Sequence, residues 1–291
     1  MNLLSKNVSY GIIALTFCFC SCNNEDDVNL SDSVSGKLVS ITSNVADLDA
    51  QDPSDYINQF EYSNQKLENW HYAIGQMGLI TNIFYNDDLI SEIYYGTGIE
   101  NLGYQFQYDE SSNLIRISGS EVNLIFDYTI EYNGNQAILN DQLGSENIIV
   151  FLTQENKISK FTYDDGVEVE FNYNNGNLRS IKRNDTNNNV VWEVTYTHDN
   201  FKNPYSNDSF KNLASVFQWI SVCGNSDQFL RTKEFLILQN KNNITNVDFD
   251  GQSPNQYFIK DQSYQYTYYQ NGYPATKHLV DLDSSIEYIY E

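Results

Sequence analysis

Basic residues are scarce in this chain. Its 291 residues carry 16 Lys and Arg against 39 Asp and Glu, a formal net charge of −23, and the cations are scattered without clusters. A field of that sign repels phosphate, which excludes nucleic acid as a partner and argues against docking on an anionic membrane surface. Acidity alone also keeps a protein soluble, so it names no ligand. Cysteine is scarcer still. Three of the four, Cys18, Cys20 and Cys22, lie at the very front, and Cys223 stands far from them. Once a leader ending at Ser21 is removed, Cys223 has no disulfide partner if Cys22 is otherwise engaged, so the fold must rest on its core. The 270 residues after Ser21 are enough to bury about 70–75 % of the surface their unfolded chain exposes. Cys223 is expected inside, as a small hydrophobe.

Long apolar runs are missing as well. The run Tyr10 to Phe19 follows the single cation Lys6 and precedes small residues before Cys22, the layout of a secretory signal. It is too short to span a bilayer, which takes roughly 20 apolar residues, and Asn23, Asn24, Glu25, Asp26 and Asp27 follow at once. Ser21 is the small residue ahead of Cys22, whereas Phe17 and Phe19 precede the other two cysteines. The expected division is residues 1–21 as signal peptide, 22–36 as a flexible, serine-rich tether and 37–291 as one domain.

Local catalytic motifs are absent too. There is no Gly-x-Ser-x-Gly elbow, no His-Glu-x-x-His helix and no phosphate loop. His71, His198 and His278 stand singly, without carboxylate or cysteine at ligand spacing, and read as strand or turn surface. Gly96-Thr97-Gly98 with Gly103 lies between strand patterns with no helix after it, and reads as a turn. Asp185, Asn187 and Asn189 have the spacing of the first ligands of a calcium loop, but Val190 stands in the glycine position and no glutamate closes the set, so a polar hairpin loop is expected. Asp87-Asp88 and Asp164-Asp165 could hold calcium weakly, and read equally well as solvated turn residues. No cofactor, metal ligand or catalytic residue is assigned.

What the chain has in quantity is tyrosine, 23 residues of it, and the tyrosines are periodic. An anchor is followed by a turn, an apolar residue, two variable residues and another apolar residue. The clearest copies are Tyr62-Leu67-Trp70, Tyr108-Leu114-Ile117, Leu152-Ile158-Phe161, Tyr173-Leu178-Ile181 and Leu238-Ile244-Val247, with weaker ones from Tyr85, Tyr132, Tyr196 and Tyr268. Anchors from Tyr62 to Tyr196 recur every 20 to 24 residues, the mark of a repeated supersecondary unit. Within the units apolar and polar residues alternate, as in Val167 to Tyr173, which is the period of a half-buried strand. Asn133-Gly134, Asn175-Gly176, Asn271-Gly272, Asp165-Gly166 and Asp250-Gly251 punctuate the strands and accept the positive φ of type I′ turns.

These features predict an all-β, antiparallel meander of about nine hairpins, roughly 18 strands, in one long sheet that curls or closes to hide its apolar face. Alternating runs of mostly five to eight residues fall short of the 9 to 11 that a membrane strand needs, which favours a barrel or curled sheet in water. After Asn203-Pro204-Tyr205 the pattern is interrupted. Phe210, Leu213, Phe217 and Ile220 are at helical spacing, predicting one inserted helix over about 209–220, N-capped by Asp208 or Ser209 and packed on the concave face.

Two resemblances follow from these residues. Cys18-Phe19-Cys20-Ser21-Cys22 resembles a bacterial lipobox, with Phe19 where leucine is usual, and implies lipid attachment at Cys22. The segments Tyr108 to Ile117 and Tyr173 to Ile181 resemble the tyrosine-aspartate repeats of large β-shell proteins. Taken with the Asn203-Pro204-Tyr205 insertion, the chain from about Gly36 onward resembles Bacteroides-type lipoproteins described as having a porin-like fold. In that group acidic residues after the lipidated cysteine resemble a signal for export to the outer surface, which Glu25-Asp26-Asp27 matches. Asp32-Ser33-Val34 resembles the group's O-glycosylation sequence, implying modification at Ser33. That family carries no assigned activity. The expectation is a non-enzymatic, outer-membrane, surface-facing lipoprotein, held through its lipid and binding a glycan or an envelope protein. A structural scaffold is the alternative, and a glycoside hydrolase, whose carboxylates would leave no local spacing, comes third.

Overall fold

The computed structural model describes residues 37–43, 56–74, 77–96, 101–121, 124–144, 146–206, 208–223, 240–251, 261–280 and 284–291. The predicted signal peptide, Cys22, Ser33 and the anchor Leu238 lie outside them. The strands in chain order are β1 (Leu38–Ser43), β2 (Tyr56–Ser63), β3 (Lys66–Ile74), β4 (Met77–Asn86), β5 (Leu89–Gly96), β6 (Asn101–Tyr108), β7 (Leu114–Glu121), β8 (Leu124–Asn133) and β9 (Gln136–Asp141). They continue as β10 (Ile148–Leu152), β11 (Ile158–Tyr163), β12 (Glu168–Asn174), β13 (Asn177–Asn184), β14 (Val190–Lys202), β15 (Asn242–Gly251), β16 (Gln262–Tyr268), β17 (Pro274–Leu279) and β18 (Ser284–Tyr290), with helix α1 (Asp208–Cys223) between β14 and β15. Each strand pairs antiparallel with its sequence neighbours, and β18 pairs with β1, so the meander closes into an 18-stranded barrel. Closure leaves no edge strand among the described residues, which removes the aggregation hazard of an open sheet.

Alternation decides which face is inside. Phe126, Tyr128 and Ile130 on β8, Ile148 and Val150 on β10, and Trp192, Val194 and Tyr196 on β14 are buried. The residues between them point outward, and many are charged. Across β7 and β8 the Arg116 guanidinium donates two hydrogen bonds to Asp127, at 2.8 and 2.6 Å. Lys160 on β11 meets Glu168 on β12 at 2.9 Å, and Lys182 on β13 meets Glu170 at 3.3 Å. The outer wall therefore carries paired ions, together with exposed apolar side chains such as Phe84, Ile125 and Ile149. Strand length does not separate a barrel in water from one in a membrane: β4, β8 and β15 have ten residues and β14 has 13, longer than the alternating runs suggested and long enough to cross a bilayer.

The turns refine the dipeptide reading. Asn175-Gly176 is flanked by the pair Asn174 and Asn177 and has both φ values positive, a two-residue type I′ turn. Asn64-Gln65 is another, without glycine. Between β8 and β9 the turn is Gly134-Asn135, with positive φ only at Gly134. Asp165-Gly166 and Asn271-Gly272 close five-residue loops, with glycine at the single positive-φ position. Asp250-Gly251 is not a turn: Gly251 pairs with Trp192 at the end of β15, and a Cβ there would lie 2.4 Å from the Val191 carbonyl. Close approach of backbones, not hairpin geometry, demands that glycine.

Helix α1 begins one residue earlier and ends three later than its periodicity predicts, so Asp208 lies within it. It packs against the inner wall, as its stripe implies. Phe210 is fully buried, with Phe60 edge-on at 5.3 Å and Tyr205 at 5.2 Å. Its last two turns are enclosed on all sides, including Gln218 and Ser221. Cys223 is buried there, and burial pushes its thiol pKa well up, leaving an unreactive hydrophobe.

Candidate functional site

The anchor tyrosines have a role that periodicity alone did not disclose. Pairing between consecutive hairpins stops short of the turns: β3 and β4 are last paired at Asn69 and Asn82, β5 and β6 at Glu92 and Gln105, β7 and β8 at Arg116 and Thr129. Two residues beyond each last pair a carbonyl is left without a strand partner, and the next anchor's hydroxyl donates to it. Tyr85 bonds the Leu67 carbonyl at 2.8 Å, Tyr108 that of Ile90 at 2.9 Å and Tyr132 that of Leu114 at 2.9 Å. Tyr62 does the same for Leu38 and Tyr173 for Ile158. Except for Leu38, which opens β1, the acceptor is the apolar residue that follows a turn in the repeat. Buried carbonyls need partners, so each tyrosine staples its hairpin to the one before while letting the turns splay apart.

Helix α1 lies in the mouth opened by that splay. Gln218 bridges it to the wall, accepting from the Ile158 amide at 3.3 Å and donating to the Tyr173 hydroxyl at 2.8 Å. Between α1 and the turn ends of β5 to β10 there is a cleft of about 350 Å3. Its floor is apolar, made of Ile90, Leu114, Leu152 and Val216. Tyr108, Tyr132 and Trp219 supply rings, with Tyr132 edge-on to Trp219 at 6.4 Å. Asn156, Asn212 and Ser215 supply amides and a hydroxyl at the rim. Asn212 commits its amide N–H to the Asp88 carbonyl at 3.2 Å, which leaves its oxygen as an acceptor. No Asp, Glu, Lys, Arg or His is among the described lining residues. Burial, with the charge of Asp109 in support, pushes the Tyr132 phenol up to about 12, so the lining stays neutral at ordinary pH.

Such a surface can hold a neutral polar molecule by hydrogen bonds over an apolar floor. It offers no acid–base pair. The sequence reading assigned none of these residues. Asn212, Ser215, Val216 and Trp219 are three to four apart on one helical face that mixes polar and apolar residues, and that mixture was the signal available.

The residues that sequence did single out are dispersed. Asp185 is saturated by its own loop: Oδ1 accepts from the Asn187 and Asn189 amides at 2.9 and 2.8 Å. Those bonds hold its pKa low and make it a turn residue, as expected. Asp109 caps the loop between β6 and β7 in the same way. Asp165 accepts from the Val167 amide, and Asp88 pairs with Lys66 at 3.0 Å. Gly96 and Gly103 lie on adjacent antiparallel strands. His71 stands 3.4 Å from Glu61 on the outer wall, and His278 is exposed beside Ser285. His198 departs from expectation: it is half-buried, with both ring nitrogens out of water and unbonded, and burial followed by the nearby Arg179 lowers its pKa to about 4. Among the described residues no group of His, Cys, Asp and Glu is placed to hold a metal.

No family model matches the chain. No curated protein matches it either. Similar solved structures include a porin-like protein from Bacteroides uniformis (14 % identity, TM-score 0.47, covering 87 % of this chain and 98 % of that one). A porin-like protein from Bacteroides vulgatus is also similar (13 %, 0.40, 88 % and 98 %). A TcdB2–TccC3–Cdc42 complex is similar over 77 % of this chain and 12 % of that one, at 10 % identity and a TM-score of 0.31. The architecture of this chain is defined directly by its strand ladder: a closed, antiparallel, 18-stranded barrel.

Proposed function

We propose that this chain is a cell-envelope lipoprotein, anchored through a lipid on Cys22 and facing the cell exterior, whose barrel is a binding module and not a channel. The outward ion pairs carry the reading. Arg116–Asp127, Lys160–Glu168 and Lys182–Glu170 lie on the wall that would face lipid. Each lipid-facing Arg or Lys costs a membrane barrel about 2–4 kcal/mol at the bilayer midplane, falling to about 0–1 kcal/mol near the interfaces. The inner wall is packed with Phe161, Ile117, Val150 and Trp192, which leaves no polar lumen along that stretch. A barrel with a wet outside and a dry inside belongs in water, and needs a separate tether to stay at a membrane. Its work then lies at its surface, with a glycan or an envelope protein as partner.

Cell fractionation tests the tether. Wild-type protein is expected in the membrane fraction and labelled by a fatty-acid analogue, whereas Cys22→Ala is expected in the soluble fraction and unlabelled. Protease treatment of intact cells should degrade the wild type. Label retained on Cys22→Ala would refute the anchor, and full protection from protease would refute the outward orientation.

A further inference from the structure

We infer that the cleft between α1 and the splayed hairpin turns binds a neutral saccharide, a pyranose ring or a short oligomer of them. The inference deepens the binding-module reading and rests on it.

Charge is the first observation. The molecule is strongly acidic, yet the described residues lining this cleft include no ionisable carboxylate, amine, guanidinium or imidazole. A cation would find no counter-charge there, and a phosphate or carboxylate would find neither a base nor a favourable field. The ligand class that matches such a lining is neutral.

Polar chemistry is the second. Trp219 is mostly buried and lines the cleft, and its indole carries a single N–H donor. Around it stand the Asn156 amide, the Asn212 oxygen left after its N–H is used, and the Ser215 hydroxyl. One fixed donor, several groups that both give and accept, and an apolar floor suit a molecule with hydroxyls around its rim and C–H bonds on its face. The volume of about 350 Å3 is at the small end of ligand pockets, which run about 300–1,000 Å3, the size for one or two sugar rings.

Rigidity is the third. Tyr108 and Tyr132, which wall the cleft, are held by their hydroxyl bonds to Ile90 and Leu114. Gln218 ties α1 to the wall from the other side. The rings are therefore in place before a ligand arrives, which lowers the ordering cost of binding.

The test uses the full-length protein in a detergent without a sugar headgroup. Maltose, cellobiose and lactose are titrated by saturation-transfer NMR, with glucuronate and glucosamine as charged counterparts. At least one neutral sugar should bind and the charged ones should bind more weakly. Ser215→Trp, at an exposed helix position, fills the cleft and should weaken binding about tenfold or more. Asn156→Gly, which keeps the positive φ of 58° accessible, should weaken it to a smaller degree. Unchanged thermal unfolding would confirm that both variants are folded. A sugar bound equally by wild type and Ser215→Trp would overturn the cleft while leaving the binding-module reading intact. No binding by any neutral sugar would overturn the inference and move the module toward a protein partner.

Discussion

The barrel has two regions built to different tolerances. From β2 to β13 the hairpins repeat one plan: long ladders, turns of two or five residues, a tyrosine or leucine anchor beside each turn and an apolar inner wall. From β14 to β18 the plan loosens. β15 and β16 share only two paired positions, Asn246 with Ser263 and Val247 with Gln262, and along β16 Tyr264, Tyr266 and Tyr268 alternate with exposed residues and are half-buried. Here Tyr266, not the anchor Tyr268, bonds the stranded carbonyl, that of Ile244, at 2.8 Å. Tyr268 turns to Asp199, in the bulged part of β14, and stacks on Phe201 at 3.9 Å. The difference follows from the insertion. Carrying α1 into the mouth interrupts the hairpin of β14 and β15, and side chains take over where ladder bonds end.

Several substitutions would break or sharpen this contrast. The largest effect is expected inside the looser region, where β15 crosses close to β14. Gly251→Ala puts a methyl group against the Val191 carbonyl and Trp192 at a φ of +119°, and should cost roughly 3 kcal/mol or more in denaturant unfolding. Gly134→Ala, at a positive φ with open space around it, should cost only about 1 kcal/mol. Equal costs at the two sites would contradict the close-approach account.

Intermediate effects are expected from the staples. Tyr108→Phe keeps the ring but leaves the Ile90 carbonyl without its donor, at about 1–3 kcal/mol. Tyr266→Phe should do more locally than globally, because so few ladder bonds back it up. Hydrogen exchange should speed up along β15 and β16 and stay slow in β6 and β7. Uniform exchange across both regions would mean that the seam is no weaker than the rest.

The smallest effect concerns pH. His198 has a folded pKa of about 4, below its ordinary 6.5. Between those values the unfolded chain takes up a proton that the folded chain refuses, so stability contributed by neutral His198 is present above pH 6.5 and lost as pH falls toward 4. His198→Asn should flatten the fall in stability over that window. An unchanged slope would show that the histidine titrates freely.

Much of the architecture was legible because its causes are local. The 20-to-24-residue period of Tyr62 to Tyr196, the alternation in Val167 to Tyr173 and turns such as Asn175-Gly176 each act within one hairpin, and a chain of hairpins has only one simple arrangement. Turn type was less legible. Asn64-Gln65 forms a type I′ turn without glycine, and Asp250-Gly251 forms none, because the neighbouring strand decides what φ is needed. Of the cleft only the mixed helical face of Asn212, Ser215, Val216 and Trp219 left a trace in the sequence. Leu114, Tyr132, Asn156 and Trp219 are separated by long stretches of chain, and none bears a residue type that announces chemistry.

Sequence by itself determined the hairpins, the inserted helix and the two-faced wall, since these depend on periodicity and on residues close together in the chain. Tertiary structure alone decided that β18 meets β1, that tyrosine hydroxyls complete the ladders where pairing ends, and that α1 fills the mouth. Those outcomes depend on how far each ladder runs before twist and splay carry the strands apart, a property of the assembled sheet that no single hairpin contains.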